Sequence, residues 1–241
     1  MSDFPVLERY QEKFGYVLDD GCRERLKMYR SLLIEWSTRF NLTRVTDSED
    51  IETKLFLDSL AIAPLLNAVS RRNRPIRMID VGAGAGLPGL PLKIAFPEID
   101  LVLLEATAKK VAFLKEVIQV LGLTGVDAIH GRAEELGHDQ RYRGQFDVVL
   151  ARAVARLPAL LELCMPLCRV GGRGLFPKGM DIDEEIADAR HAAGILGCAI
   201  LGTERSDAEE LSGTTIVVVQ QQTQAPVRYP RRAGLPAKDP L

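Results

Sequence analysis

The apolar residues Ile76, Met78 and Ile79 run straight into Asp80-Val81-Gly82-Ala83-Gly84-Ala85-Gly86-Leu87-Pro88-Gly89. A strand that ends in glycines at alternate positions can turn sharply and bring its backbone close to a ligand, because no Cβ interferes. The spacing is selective. Dinucleotide-binding folds use G-x-G-x-x-G, which would need glycines at 82, 84 and 87, and position 87 is Leu.

An acidic residue followed by G-x-G-x-G is instead the usual opening loop of methyltransferases that use S-adenosylmethionine (AdoMet). That ligand has no pyrophosphate to place on a helix N-terminus. It has a cationic sulfonium, an amino-acid end and an adenosine, so a loop that is acidic at its strand end, at Asp80, suits it. A second motif follows. Leu101 to Leu104 form a continuous apolar run ending in Glu105, as expected of a parallel strand covered on both faces. Doubly wound folds place a carboxylate on ribose hydroxyls about 20 residues beyond the glycine loop. A carboxylate is acceptor-only and can receive both hydroxyl protons.

The rest of the chain alternates in the same way. Strands are expected at 76–81, 101–105, 126–130, 146–150, 173–177, 198–204 and 214–220, with helices at 88–95, 108–121, 157–168 and 181–193. Such alternation implies an α/β fold with a mostly parallel seven-stranded sheet and helices on both faces. The last two strands have no clear helix between them and are expected as an antiparallel edge pair. Before the sheet, Leu26, Tyr29, Leu32, Leu33 and Trp36 recur at helical steps. Residues 1–70 therefore read as a helical extension, 71–220 as the main domain, and 221–241 as a basic tail.

The 241-residue chain has a net charge of −2, so a nucleic-acid partner must be met by local basic patches. The tail carries Arg228, Arg231, Arg232 and Lys238 beside Tyr229; this suits either a solvated terminus or RNA phosphates and bases. A second cluster, Arg71, Arg72, Arg74 and Arg77, reads as a solvated linker. No metal is expected, because His130, His138 and His191 are far apart and Cys164 and Cys168, one turn apart on a helix, read as buried thiols. The N-terminus has neither a basic region nor an apolar core of the secretory kind, and no apolar stretch approaches a membrane span. A cytoplasmic monomer is expected.

The reaction leaves few sequence marks. Exocyclic-amine methylation favours an Asp/Asn-Pro-Pro-aromatic loop after the fourth strand, where this chain has Ala151-Arg152-Ala153. Pyrimidine-carbon methylation needs a cysteine in a catalytic loop, and none stands there. Guanine N7 carries a lone pair and no proton, so its attack on a methyl group needs alignment and no general base. No catalytic acid or base is assigned. Arg152 is the candidate positioning group, for guanine, phosphate or the AdoMet carboxylate; an ordinary ion pair would explain it equally well.

From about Trp36 to Leu241 the chain resembles the bacterial 16S rRNA (guanine-N7) methyltransferase family, also called glucose-inhibited division protein B. The resemblance rests on Phe40-Asn41-Leu42-Thr43, Phe56-Leu57-Asp58-Ser59-Leu60, the glycine loop with its Leu87-Pro88-Gly89 extension, Glu105 to Lys110, Gly131-Arg132-Ala133-Glu134, Ala151-Arg152-Ala153 and Tyr229 to Gly234. It implies the Rossmann-like fold of class I AdoMet methyltransferases, AdoMet as cofactor, and 16S rRNA or the small ribosomal subunit as partner. Asp80, Gly82, Gly84, Gly86 and Leu87 would then shape the cofactor loop. Glu105, Ala106 and Thr107 would line the ribose, Ala133 and Glu134 would meet the adenine, and Arg152 would lie at the cofactor and substrate. Lys109, Lys110, Arg132, Arg228, Arg231 and Arg232 would contact RNA. Two positions depart from the family: Leu55 stands where it usually has His, and Thr214-Thr215 replace a basic pair. An AdoMet enzyme acting on another RNA or a small molecule, and a non-catalytic AdoMet- or RNA-binding protein, are the alternative readings.

Overall fold

The computed structural model describes residues 2–40, 42–66, 69 and 74–241. Asn41, Arg71, Arg72 and the expected boundary at 70/71 lie outside the described residues. Helices α1 (Pro5–Phe14) and α2 (Asp20–Arg39) precede a broken helical run of α3 (Ser48–Asp50), a π-helical stretch Ile51–Leu57, α4 (Asp58–Leu60) and α5 (Ala63–Leu66). Alternation begins with β1 (Arg77–Val81), α6 (Gly89–Ala95), β2 (Asp100–Glu105), α7 (Ala108–Val120), β3 (Val126–His130) and α8 (Ala133–Leu136). It continues through β4 (Phe146–Leu150), α9 (Leu157–Cys164), β5 (Cys168–Lys178), α10 (Asp183–Leu196), β6 (Cys198–Arg205), β7 (Thr215–Gln221) and the short α11 (Leu235–Lys238).

The seven strands form one sheet in the order β3-β2-β1-β4-β5-β7-β6. Strands β1 to β5 pair in parallel, and β7 runs antiparallel to both β5 and β6. The last two strands do pair as expected, but only β6 is an edge. Burial explains the order. Strand β7 is buried along nearly its whole length, which suits an interior position, whereas β6 is largely exposed beyond Cys198. The helix expected to reach residue 168 stops at Cys164, and Pro166 lies in a 3-10 turn before β5. Cys164 and Cys168 therefore belong to different elements, both buried and free.

Each strand divides its side chains between two cores. Met78, Leu101, Leu103, Val148 and Leu150 join one cluster, and Ile79, Val102, Leu104 and Val149 the other. The first cluster also contains Phe4, Leu7, Tyr29, Leu33 and Phe56. The N-terminal helices thus cover one face of the sheet and share its core. Tyr29 links them to the glycine loop: its ring stacks on Phe56 with centroids 5.4 Å apart, and its hydroxyl donates to the Ala85 carbonyl at 2.5 Å.

Asp19 and Asp47 cap α2 and α3 through their side chains. Helix α1 has no such local cap; buried Glu52 supplies it, one carboxylate oxygen accepting from Val6 N–H at 2.7 Å and Leu7 N–H at 2.8 Å. Among the described residues no helix is long and apolar enough to cross a membrane, and no group of three or more His, Cys, Asp or Glu is placed to hold a metal ion.

Loss of that cap has a defined cost. Glu52→Ala should lower the unfolding free energy by about 1–2 kcal/mol, read from urea denaturation, and Glu52→Gln, which keeps an acceptor, should retain most of it. Equal losses in both variants would contradict the capping role.

Candidate cofactor and substrate site

The loop after β1 is fixed by its neighbour strand. Gly82 and Ala83 N–H both donate to the Leu104 carbonyl, at 2.8 and 3.0 Å, and Gly84 N–H donates to Glu105 Oε2 at 2.9 Å. Gly82 and Gly86 have φ of +72° and +88°, and a Cβ on them would meet Val154 Cγ2 at 2.7 Å and Leu90 Cδ1 at 2.2 Å. Glycine is needed at both on conformation and on space. Leu87 contributes from beneath, its side chain buried in the core that includes Leu90.

Two carboxylates end the paired strands. Asp80 is fully buried; its Oδ2 accepts from Gly89 N–H at 2.9 Å, and no donor reaches Oδ1 among the described residues. Burial pushes its acid up to about 7, against the opposing pull of the Gly89 N–H and the Arg152 charge. Glu105 is also buried, but both oxygens are engaged, Oε2 by Gly84 and Oε1 by Thr107 N–H at 2.8 Å. Each oxygen retains capacity for a further donor.

Beside this pair lies a cavity of about 210 Å³ lined by Val81, Gly82, Leu104, Ala106, Gly131 to Glu134, Val154, Ala155, Leu163, Gly234 and Ala237. It sits at the carboxyl ends of the strands where the order reverses between β1 and β4, the ligand position of open α/β sheets. Val81, Leu104 and Leu163 offer an apolar surface for a flat ring, and Ala133 and Glu134 offer polar atoms at its edge. With Glu105 adjacent and Asp80 Oδ1 unpartnered, the set fits an adenosine bearing a cationic sulfur. Val154, Ala155, Leu163 and Ala237 have no sequence mark, and Gly234 is marked only as part of the resemblance, since chain distance hides their convergence.

Arg152 stands at the end of β4, its Nη1 2.7 Å from Asp58 Oδ2. Thr214 Oγ1 donates to the other Asp58 oxygen at 2.9 Å. Asp58 therefore joins α4 to the segment after β4 and to the residue before β7, a role that nothing in its local sequence announces. Thr214, one of the departures from the family pattern, occupies this network as a neutral donor. Leu55, the other, is buried in the core.

The basic residues separate into two groups. Lys109, Arg132, Arg228 and Arg232 are exposed and Lys110 is partly so. Lys109 Nζ lies 4.9 Å from the Phe40 ring centroid, and the Arg228 guanidinium lies 5.1 Å from that of Tyr229. Arg231 differs from these. It makes a two-pronged pair with fully buried Glu162, Nε to Oε1 at 2.9 Å and Nη2 to Oε2 at 2.7 Å, and so serves the fold. Composition marks a cation but not its partner. The tail is likewise no solvated terminus: Tyr229 and Pro230 are buried.

The family described as GidB, rRNA small subunit methyltransferase G, matches residues 22–210. The chain is 44% identical over 235 residues to the ribosomal RNA small subunit methyltransferase G of Roseiflexus castenholzii, covering 98% of each chain. It is 40% identical over 233 residues to the protein of that name from Streptococcus pyogenes serotype M2, covering 97% of each. In fold it is similar to a variant of MtNAS solved in complex with S-adenosylmethionine, with a TM-score of 0.55 at 16% identity over 83% of this chain and 76% of that one. That likeness shows the Rossmann-like α/β architecture of the sheet.

Asp80 also sets a pH dependence. Its folded acid, near 7, lies above the ordinary 3.8, so the folded chain holds a proton that the unfolded chain releases. The stability this confers is complete below about pH 4 and is lost as pH rises through about 7. Thermal melts should therefore show the native chain losing ground to Asp80→Asn over that interval, and parallel curves would refute a raised Asp80.

Proposed function

Because the chain belongs to the rRNA small subunit methyltransferase G family, we propose that it transfers the methyl group of AdoMet to N7 of a guanine in 16S rRNA. The substrate is that RNA, alone or within the small ribosomal subunit. The observation that carries this reading is the joining of Glu105, Gly84 and Thr107 beside a cavity with an apolar floor and Glu134 at its edge. Bound there, AdoMet supplies a methyl group made electrophilic by its sulfonium.

The residues present are suited to alignment. Glu105 is fixed by two backbone donors to accept ribose hydroxyls. Ala133 and Glu134 meet the adenine edge, and the glycine loop with Asp80 faces the methionine portion. Arg132 and Glu134 are the ionisable side chains of the cavity lining, and N7 needs no base to accept a methyl group. Covalent addition through a thiolate is disfavoured: all four cysteines are buried, and burial pushes Cys22 to about 11 and Cys198 to about 12, with Cys164 and Cys168 higher still. Buried free thiols also suit a reducing cytoplasm.

Arg152 has the free donors a guanine requires. Asp58 engages only Nη1 among the described contacts, which leaves the rest of the guanidinium for the O6/N7 edge or a phosphate. Exposed Lys109, Arg132, Arg228 and Arg232 and the partly exposed Lys110 favour RNA over a small substrate, which needs no such surround.

Labelled AdoMet should methylate small-subunit RNA from cells lacking the gene, and borohydride and aniline scission should place the label on guanine N7. Label on other RNA, or on metabolites alone, would overturn the assignment. Glu105→Ala should weaken AdoMet binding by about 1–3 kcal/mol through loss of a charged hydrogen bond, measured by calorimetry. The double variant Arg228→Ala, Arg232→Ala should lower the slope of log affinity against log salt by about 2 for RNA; an unchanged slope would exclude both from the phosphate contact.

A further inference from the structure

The last segment of the chain is built into the cavity wall, and its anchoring is heavy for a terminus. Arg143 donates to four carbonyls: through Nη1 to Gly137 at 2.5 Å and Tyr229 at 2.7 Å, and through Nη2 to Ala225 at 2.7 Å and Pro226 at 3.0 Å. His138 Nε2 lies 2.7 Å from the Pro230 carbonyl. Glu162, fully buried on α9, accepts from both the backbone and the side chain of Arg231. A buried carboxylate is costly unless its partners are fixed, so Glu162 ties residue 231 to one place. Three residues later Gly234, at φ +80°, donates its N–H to Glu134 Oε1 at 2.9 Å, and Gly234 and Ala237 both line the cavity.

We propose that the C-terminal segment, held by Glu162 through Arg231 and by Arg143, forms the adenine-side wall of the cofactor site, with Gly234 and Ala237 as binding residues. The inference rests on the AdoMet reading above and adds to it a part of the chain given there only to RNA. Glu134 is the hinge of the argument. Its one oxygen is held by Gly234 N–H, so the carboxylate assigned to the adenine edge is oriented by the tail. Glu162 is a positioning residue acting through Arg231. Arg228 and Arg232, exposed on the same segment, remain free for phosphate.

The test uses AdoMet and 5′-methylthioadenosine, which keeps the adenosine and lacks the amino-acid end. Two variants of the full protein are compared with the native chain by calorimetry: removal of residues 233–241, which leaves Arg231 on Glu162, and Ala237→Trp, an exposed position whose enlargement fills the cavity mouth without touching the core. Both ligands should lose affinity by at least about tenfold in both variants, and by the same factor. RNA affinity in the absence of either ligand should hold in Ala237→Trp. If truncation unfolds the protein, Ala237→Trp carries the test alone, provided its thermal midpoint is native. Native affinity in a folded Ala237→Trp overturns the wall. So does a loss confined to AdoMet, which would place the segment at the amino-acid end. Failure of the native protein to bind either ligand overturns the cofactor reading itself, and with it this inference.

Discussion

Three consecutive amide hydrogens, from Gly82, Ala83 and Gly84, are taken up by the last two residues of β2. Successive N–H groups of a turn converge to make a concave, electropositive backbone, and here the neighbouring strand satisfies it through the Leu104 carbonyl and the Glu105 carboxylate. The glycine loop is therefore not held by its own helix alone. It is locked to the next strand of the sheet, and the acid that ends that strand is locked in return. Tyr29 adds a third point, from the opposite side, through Ala85. Gly86 then lets the loop lie against Leu90 of α6 and Leu114 of α7, and Gly89 lets the start of α6 lie against Leu103 and Asp80, without a Cβ between.

Buried acids mark both ends of the sheet and are treated differently. At the amino end Asp147 is surrounded: Arg74 and Arg169 reach Oδ1 at 2.5 and 2.6 Å, and Arg77 N–H reaches Oδ2 at 2.9 Å. At the carboxyl end Asp58 has Arg152 and Thr214, and Asp80 has one amide. The fully partnered acid is structural. Asp80, by contrast, keeps one oxygen without a donor among the described residues, and a polar group left incomplete in a folded interior is costly.

The fold was readable because its signals are local. Continuous apolar runs, glycine turns and intervening amphipathic stretches marked all seven strands, and Asp80, the glycines and Glu105 follow from one strand-loop-helix-strand unit. What escaped was contact across the chain. Asp58 meets Arg152 over 94 residues, Glu162 meets Arg231 over 69, and Glu134 meets Gly234 over 100. The ion pair of Arg231 is hidden for that reason, and a basic composition does not show that Ala225, Pro226, Tyr229 and Pro230 are tied by their carbonyls to Arg143 and His138. The insertion of β7 between β5 and β6 was also beyond local pattern, although the near-continuous apolar run Ile216 to Val219 is that of a covered strand.

That insertion carries a consequence for biogenesis. Strand β6 precedes β7 along the chain and has no other neighbour in the sheet, so it leaves the ribosome with nothing to pair against. The flank of β5 stays bare until residues 215–221 arrive, and only afterwards can the terminal turn dock on α9. A nascent chain of this protein thus completes its sheet only with β7, and the pocket, which Gly234 and Ala237 help to line, only after that.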